Sequence, residues 1–492
     1  MLKAIPHFPL VLLLFVYGCT VSKPYSPQKK YSKETLQQDF SLLRTILEKK
    51  HPSLYWYTPK DSMDHFFNEK YKSINDSMTE LQFAWKVIAP LLSKIKCGHT
   101  TFSMSKGWQH YIQNKRIPSF PVYVRVWPDT MVVMFNLNKT DTLKKGTVIT
   151  AINGVKIPDL FKQMFPYMAQ DGYAESVNYT RLSLSFPYFH RNILGLYKKY
   201  SVDYIDSLGN NKKTVLPYFN PVPDSLKHLK SEPKQPKIKI TRRNRLSRIR
   251  SLQIDTFSST ATMKISSFSK GHLPNFFKSS FKKIRRADIK NVVIDIRNNG
   301  GGDINNFVSL ARYIRNTDFK VADTAVALAK NFRPYNKYIK ANFFDRPGLF
   351  FLTRKGKDNR YHFGFWEDKT FKPRHKNHFN GDTYVLTNGL TFSASSLFCN
   401  SVKDQGGVTL VGEETGGGWH GNSGIVIPDI VLPLTKLRVR LPFFKLVQYN
   451  HVPKNGSGVQ PDIEVQPTVS DVINNVDRKM ELVKELIKQK TK

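Results

Sequence analysis

The chain has 492 residues, of which 40% are hydrophobic, and it carries a formal net charge of +38. This length predicts two or three domains, and the apolar content, with 34 Phe and 22 Tyr, excludes a largely disordered chain. Lys and Arg are scattered through every segment, which argues against a nucleic-acid-binding module; an anionic membrane surface, acidic substrates or a general basic bias would each explain the charge.

The N-terminus has the pattern of an export signal. Lys3 supplies a positive start, residues 8–16 form an apolar run, and Gly18 precedes Cys19. The run is too short for a permanent membrane-spanning helix. Residues 16–19, Val-Tyr-Gly-Cys, resemble the lipobox of bacterial lipoproteins, in which the cysteine is acylated after cleavage; a plain secretory peptide is the alternative. We expect a lipid anchor at Cys19 on an exported protein of the cell envelope, facing the periplasm.

The spacing of apolar residues predicts a helical segment followed by a β segment in the part of the chain before residue 250. Apolar residues at three- and four-residue spacings predict helices within 32–95. Alternating stretches at 120–126 and 131–135 predict strands, and Asn153-Gly154 predicts a hairpin after the strand that begins at Gly146. This strand running into Ile-Asn-Gly resembles a PDZ domain, a class that binds extended peptides at a sheet edge; an ordinary β-hairpin is the alternative.

Two further features concern linkers and thiols. Residues 227–250 contain ten Lys or Arg and one acid, which is typical of a solvated connector and leaves contact with membrane lipid as an alternative. Cys97 and Cys399 are the cysteines that follow Cys19, and we expect two separate buried thiols, not a disulfide framework.

Strands and helices alternate from residue 253 onward, which predicts an α/β core with a largely parallel sheet. An amphipathic helix is expected at 471–490. The predicted domains are a signal peptide at 1–18, a tether at 19–34, a helical segment at 35–105, a PDZ-like domain at 106–215, a basic linker at 216–252, the core at 253–470 and a C-terminal helix at 471–492.

Three separated segments carry candidate chemistry. Ser393 lies where a strand turns into a helix, so free N–H groups at the helix N-terminus could stabilise negative charge; helix capping is the structural alternative. Gly300–Gly302 follow a buried strand and could supply oxyanion-hole N–H groups, whereas a phosphate loop would need a Gly-Lys-Ser/Thr ending that is missing. His99, beside Gly98, could act as a base near neutral pH.

In this order the segments resemble the carboxyl-terminal processing (tail-specific) serine peptidases, a family that includes the tricorn core and the retinoid-binding-protein repeats. The resemblance covers roughly residues 35–468 and implies a crotonase-like (ClpP-type) α/β core with an inserted PDZ-like β domain. The matching stretches are Gly98-His-Thr, Asp295-Ile-Arg-Asn-Asn-Gly-Gly-Gly, Ser393-Ala-Ser-Ser, Asp404-Gln-Gly, Val411-Gly-Glu-Glu-Thr-Gly-Gly and Gly458-Val-Gln-Pro-Asp.

Departures from the family pattern select the mechanism. Many members use a serine–lysine dyad, but the lysine position is Gly418 here. The tricorn-like branch pairs the serine with the histidine of Gly-His-Thr. The resemblance therefore implies Ser393 as nucleophile and His99 as general base, with the N–H groups of Gly301 and Ala394 as oxyanion donors. The expected late glutamate is absent, and Asn455 is the candidate for orienting the histidine.

The predicted function is hydrolysis of peptide bonds through a Ser–His acyl-enzyme at the cell envelope, acting as an endopeptidase or a C-terminal processing peptidase. The expected partners are a peptide or protein substrate and the membrane, with no nucleic acid, cofactor or metal. The main alternative is a catalytically inactive protein of the same fold that binds peptides or apolar ligands. A crotonase-type enzyme acting on a thioester is a second alternative.

Overall fold

The structure is a computed structural model that describes residues 25–490 except 114, 116, 139–141, 207 and 222–240. The predicted signal segment, Cys19 and most of the basic linker lie outside the described residues. Within the described part of the chain, no helix combines the length and the apolar character needed to cross a bilayer.

Helices dominate the N-terminal segment, as its periodicity predicts. Its elements are β1 (Lys30–Tyr31), α1 (Lys33–Lys50), α2 (Lys60–Lys72), β2 (Met78–Thr79), α3 (Glu80–Phe83), a π-helical turn (Ala84–Ile88), α4 (Ala89–Lys94), β3 (Phe102–Ser103) and α5 (Lys106–Ile112). On α1, the inward residues Leu36, Phe40 and Leu43 are at most 1% exposed. Burying each of these side chains contributes about 2 kcal/mol to folding.

The next unit is an antiparallel sheet with two helices. Its elements are β4 (Val122–Trp127), β5 (Thr130–Asn136), β6 (Val148–Ile152), β7 (Val155–Lys156), α6 (Ile157–Met164), a 3₁₀ turn (Phe165–Tyr167), α7 (Ser176–Ile193), β8 (Lys199–Ile205) and β9 (Asn211–Pro217). The strand order is β4-β5-β6-β8-β9, with β7 paired to β6. The hairpin predicted at Asn153-Gly154 is confirmed, because β6 and β7 pair directly across these two residues.

The remaining elements build the core and the C-terminus. They are α8 (Arg242–Ser247), β10 (Arg250–Asp255), β11 (Thr260–Ile265), α9 (Leu273–Arg286), β12 (Asn291–Asp295), α10 (Ile304–Ala311), β13 (Ala322–Ala327), β14 (Ile339–Lys340), α11 (Asp345–Leu352), β15 (Arg354–Lys355), β16 (Tyr361–His362), α12 (Gly364–Asp368), β17 (Asp382–Thr387), α13 (Ala394–Val402), β18 (Val408–Gly412), β19 (Gly421–Gly424), β20 (Asp429–Val431), β21 (Arg438–Arg440), β22 (Phe444–Gln448), β23 (Ile463–Glu464), α14 (Val469–Asn474) and α15 (Arg478–Lys490).

The central sheet has the order β10-β11-β12-β17-β18-β23. The pairs from β11 to β23 are parallel, and β10 alone runs antiparallel, so the prediction of a largely parallel core sheet is confirmed. Parallel strands place their carboxyl ends at one edge of the sheet, where open α/β sheets commonly bind ligands. The loops after β12, β17 and β18 therefore meet at one edge.

A second sheet joins the N-terminal segment to the core. Its order is β14-β20-β21-β3, and β3 pairs with β21 through Arg438 opposite Ser103. The Arg440 N–H also donates to the Thr101 carbonyl oxygen at 2.8 Å. These bonds fix the chain just after His99 against the core.

The tail differs from the single helix predicted at 471–490. α14 ends at Asn474 and is capped by Asn475, which has φ of 54°; α15 starts at Arg478. Asn adopts this left-handed conformation more readily than most residues, so it can end a helix where periodicity continues. Cys97 and Cys399 are both buried and free, which confirms the expectation of two separate thiols.

Candidate active site

A cavity of about 820 Å³ opens at the carboxyl edge of the central sheet, and it brings together all three segments singled out in the sequence. Ser393, His99 and the glycine run 300–302 line the same cavity. Its polar lining also includes Arg181 and Arg440, and its apolar lining comprises Val177, Ile304, Trp366, Leu390, Phe392, Leu397, Ile425, Ile427 and Leu446.

Ser393 occupies a strained turn at the N-terminus of α13. Its φ is 56° and its ψ is −124°, a conformation that costs a residue with a Cβ roughly 1–3 kcal/mol. The turn is held from both sides: the Thr391 hydroxyl donates to the Ile296 carbonyl oxygen, and the Phe392 N–H donates to the Asn299 carbonyl oxygen. Such a turn projects a side chain from a strand end towards a cavity, as nucleophile elbows do.

The glycine run packs directly on this turn. A Cβ on Gly301 would lie 2.7 Å from the Cβ of Ser393, so only glycine fits there. However, the Gly301 N–H donates to Asn299 Oδ1 at 3.0 Å. The prediction that Gly301 is an oxyanion donor is therefore corrected, because its N–H is already engaged. Among the described residues, the N–H groups of Gly300, Gly302 and Ala394 have no hydrogen-bond acceptor.

His99 is 5% exposed and packs on the residue that precedes the serine. Its ring centroid lies 4.9 Å from that of Phe392. Nδ1 is fully buried and without a hydrogen-bond partner, which leaves Nε2 as the ring nitrogen available to the cavity. Between the described residues, no hydrogen bond joins His99 to Ser393; catalytic hydrogen bonds often form only when substrate is bound.

The electrostatic surroundings of His99 favour a neutral ring. Burial lowers its pKa to about 3, and the positive charges of Arg440 and Arg181 act in the same direction. The predicted orienting residue, Asn455, does not contact the ring. Asn455 is exposed, and its Oδ1 accepts hydrogen bonds from the N–H and hydroxyl of Ser457. The prediction for Asn455 is wrong because the chain after Val452 turns on itself and not towards the imidazole.

The structure adds one residue that the sequence did not suggest, Asp171. Its side chain is almost completely buried, at 3% exposure. Oδ1 accepts the Gly98 N–H at 2.7 Å and Oδ2 accepts the Gly418 N–H at 3.3 Å. The carboxyl group thus links the His99 loop to the loop after β18. In the sequence, Asp171-Gly172 has only the composition of a turn.

The loop after β18 also explains the missing lysine. A Cβ on Gly418 would lie 2.4 Å from the Gly421 carbonyl oxygen, so the backbone leaves no space for a side chain there. Gly418 pairs instead with Gly458 of the closing motif, and Gly417 packs against the hydroxyl of Ser396. A serine–lysine dyad at this position is therefore excluded by backbone packing as well as by sequence.

Asp171→Asn is expected to slow the reaction of Ser393 with an acylating substrate by about tenfold. The amide oxygen of asparagine can replace one carboxylate oxygen, but the amide NH₂ group would then face the N–H of either Gly98 or Gly418, and that hydrogen bond is lost. Burial raises the pKa of Asp171 to about 7. Since the folded pKa lies above the unfolded value, folding favours the protonated form, and this contribution to stability is lost as pH rises from about 4 to about 7.

The Asp171→Asn variant lacks this titration. Its deficit in the free energy of unfolding relative to wild type should therefore shrink by roughly 2 kcal/mol between about pH 5 and about pH 8. Urea denaturation of both proteins at the two pH values measures this difference. A constant deficit would contradict the assignment, and Asp159→Asn, on the exposed face of α6, serves as the control.

A strained serine, a buried neutral histidine and free N–H groups around one cavity define a site of the serine-hydrolase class. Comparison with known proteins relates one part of the chain to a family. Residues 259–465 match the model of peptidase family S41. These residues form a domain of the peptidase S41 type, and for this part of the chain the resemblance to the tail-specific serine peptidases is confirmed.

Solved structures share the fold over nearly the whole chain. The structure of mature CPAF complexed with lactacystin has a TM-score of 0.64 at 13% identity, covering 93% of this chain and 98% of that chain. The crystal structure of mature CPAF has a TM-score of 0.62 at 13% identity, covering 93% and 97%. At this identity the likeness establishes the fold alone. No curated protein sequence matches the chain.

Proposed function

We propose that the protein hydrolyses peptide bonds through an acyl-enzyme on Ser393, with His99 as the general base. The observation that carries this proposal is the meeting of residues 99, 300–302 and 393 at one cavity from three distant stretches of chain. The proposed mechanism needs no metal or organic cofactor, because alcohol, imidazole and backbone amides together suffice for acyl transfer.

In the first half-reaction, Ser393 Oγ attacks the carbonyl carbon of the scissile peptide bond, while His99 Nε2 takes the hydroxyl proton. The carbonyl oxygen becomes an oxyanion, which the Ala394 N–H and the free N–H groups of Gly300 and Gly302 are placed to bind. His99 then gives the proton to the departing amine as the C–N bond breaks, which leaves an ester on Ser393. Water hydrolyses this ester by the same steps in reverse.

Two features position the imidazole in place of the missing acid. The ring packs on Phe392, and the Gly98 N–H is held by Asp171. A Cβ on Gly98 would lie 2.5 Å from the Phe392 ring, so glycine permits this close approach. We infer that ring packing on Phe392 and the hydrogen bond from the Gly98 N–H to Asp171 hold His99, with no carboxylate of the described residues bonded to the imidazole itself.

The lining of the cavity indicates the kind of substrate. Apolar side chains, including Ile304, Trp366 and Leu446, suit apolar residues of a peptide. Arg181 and Arg440 supply positive charge near His99. We infer that preferred peptides combine apolar residues with a carboxylate, from either a side chain or a C-terminus. A carboxylate bound beside these arginines would also offset their effect on the pKa of His99.

Reaction with a fluorophosphonate probe tests the proposal. We expect one covalent adduct on the wild-type protein, and peptide mass mapping should locate it at Ser393. An adduct on another cavity serine, Ser267 or Ser269, would refute the assigned nucleophile. If folded wild-type protein forms no adduct, the inactive peptide-binding alternative is favoured. The unpartnered Nδ1 and the low pKa of His99 are the observations that favour this alternative.

We further propose a PDZ-like role for residues 106–215 and a crotonase-like description of the core. The antiparallel sheet with α6 and α7 supports the former, and the parallel strands with α10 and α13 support the latter. On the β4 edge, the Ser183 hydroxyl accepts from the Val126 N–H and donates to its carbonyl oxygen. Because Ser183 already occupies these backbone groups of β4, the edge strand β9 on the other side of the sheet is the better candidate for strand addition by a peptide.

The location of the protein is also a proposal. The residues that support it are the apolar run at 8–16 and Cys19, and they indicate export followed by acylation at the cell envelope. Mass spectrometry of the mature N-terminus tests this expectation. A diacylated or triacylated Cys19 as the first residue would support it, whereas an unmodified N-terminus elsewhere would refute it.

A further inference from the structure

We propose that the surface formed by Phe343, Phe344 and the outer face of α11 docks on an anionic lipid membrane. It is separate from the cavity that holds Ser393, because no residue of 330–357 lines that cavity. The proposal does not depend on acylation of Cys19. It concerns a second contact with lipid, made by the folded body of the protein, which we call the aromatic face.

The aromatic face exposes an unusual amount of apolar surface. Phe343, Phe344 and Phe351 are 85%, 79% and 78% exposed. Phe350 and Leu352 are 53% and 54% exposed. These five side chains lie within ten consecutive residues, and exposed apolar clusters of this kind mark interaction surfaces.

The fold holds these side chains outward. Leu349 is 2% exposed and packs into the core shared by α1 and β14, so α11 is anchored on that side. The Thr353 hydroxyl donates to the Leu349 carbonyl oxygen and ties the end of the helix. With the inner face fixed by Leu349, the phenylalanines cannot turn inward without losing this packing. Their exposure is therefore built into the fold.

Positive charge surrounds the aromatic face. Residues 330–357 contain one acid, Asp345, and eight basic residues: Lys330, Arg333, Lys337, Lys340, Arg346, Arg354, Lys355 and Lys357. Among the described residues, none of these eight forms a salt bridge. Lys330 lies 4.5 Å from the centroid of Phe350, so cationic and aromatic groups are directly adjacent.

This combination fits a lipid surface better than other occupants. Aromatic side chains insert at the boundary between headgroups and acyl chains, while Lys and Arg contact anionic headgroups. A second copy of the chain would bring two strongly basic surfaces together, and their repulsion opposes a symmetric dimer through this face. Charge complementarity therefore favours an anionic bilayer.

Vesicle flotation tests the proposal with the mature chain that begins after Cys19, so that no acyl group contributes. One set of vesicles contains phosphatidylcholine alone, and the other contains equal parts of phosphatidylcholine and phosphatidylglycerol. We expect wild-type protein to float with the anionic vesicles. The triple variant Phe343→Ser, Phe344→Ser, Phe351→Ser should bind the anionic vesicles at least about tenfold more weakly than wild type, because it loses the side chains that insert into the bilayer.

Matched variants separate the aromatic face from general effects. Phe257→Ser with Leu208→Ser removes two side chains that are 100% and 84% exposed elsewhere, and it should bind like wild type. Arg346→Glu, Lys355→Glu, Lys357→Glu should lose binding to anionic vesicles. A matched triple variant makes the same charge change on exposed positions of α9: Lys278→Glu, Lys282→Glu, Arg286→Glu. This variant should retain most of the binding to anionic vesicles.

The proposal is overturned if both members of each matched pair bind equally, or if wild-type protein does not float with anionic vesicles. Sedimentation velocity adds a second outcome. If the triple Phe variant loses self-association while vesicle binding is unchanged, the face contacts a second copy and the lipid proposal fails. All the substituted side chains are exposed, so the variants should keep the wild-type melting temperature.

Discussion

The Ser393→Ala variant is expected to lose peptide hydrolysis by about 10⁴-fold or more, because removal of the proposed nucleophile leaves only substrate binding and oxyanion stabilisation. The loss should appear in kcat, with little change in KM, since the hydroxyl contributes little to ground-state binding. Hydrolysis of a quenched fluorescent peptide with apolar residues around the scissile bond measures both constants. Fluorophosphonate labelling should disappear in the same variant.

The strained backbone provides a control for Ser393. Alanine keeps the Cβ, so the cost of φ at 56° is the same and the fold should be unchanged. Ser393→Gly removes this cost and should raise the free energy of unfolding by about 1 kcal/mol while remaining inactive. Ser269→Ala changes another serine of the cavity and should remain active. Activity retained by Ser393→Ala would refute the proposed mechanism.

The His99→Ala variant is expected to lower the rate of acylation by about 10²- to 10⁴-fold, the usual contribution of a general base. Because burial and two arginines lower the pKa of His99 to about 3, the imidazole is neutral throughout the physiological range. The wild-type labelling rate should therefore show no acid limb near pH 6.5 from this group. Stopped-flow labelling across a pH series measures the rate and its profile together.

Another histidine near the site serves as the matched control. His420 stands two residues after Gly418, and its Nδ1 is 2.9 Å from the Val452 carbonyl oxygen. It does not line the cavity with Ser393, so His420→Ala should retain most of the labelling rate. A collapse of labelling in His420→Ala with full activity in His99→Ala would identify a different base and contradict the assignment.

Much of the core could be predicted because its signals are local. The helix α9 from Leu273 to Arg286 shows such a signal, since Phe277, Phe281 and Ile284 repeat at the spacing of a buried helical face. The turn at Ser393 and the glycine run were recognisable for the same reason. Each motif reflects the conformation of a few neighbouring residues.

The residue that was missed and the predictions that were wrong depend on side-chain contacts, some of them between residues far apart in the sequence. Asp171 binds N–H groups 73 and 247 residues away, and no local pattern marks such a carboxylate. Asn455 had the right chemistry and a plausible position, but the bond to Ser457 directs it away from His99. The engagement of the Gly301 N–H by Asn299 depends on a side-chain rotamer, which the sequence does not specify.

By itself, the amino-acid sequence determined the alternation of strands and helices in the core, the serine at a strand-to-helix turn, the glycine run and the glycine at the position of the dyad lysine, because each follows from short-range backbone preferences and residue type. Tertiary structure alone decided which backbone N–H groups around the cavity lack an acceptor, which contacts hold His99 and which apolar side chains remain exposed to solvent. Those outcomes are set by packing between distant segments, where many arrangements satisfy the same local pattern and only one buries Leu349 while leaving Phe343 and Phe344 in solvent.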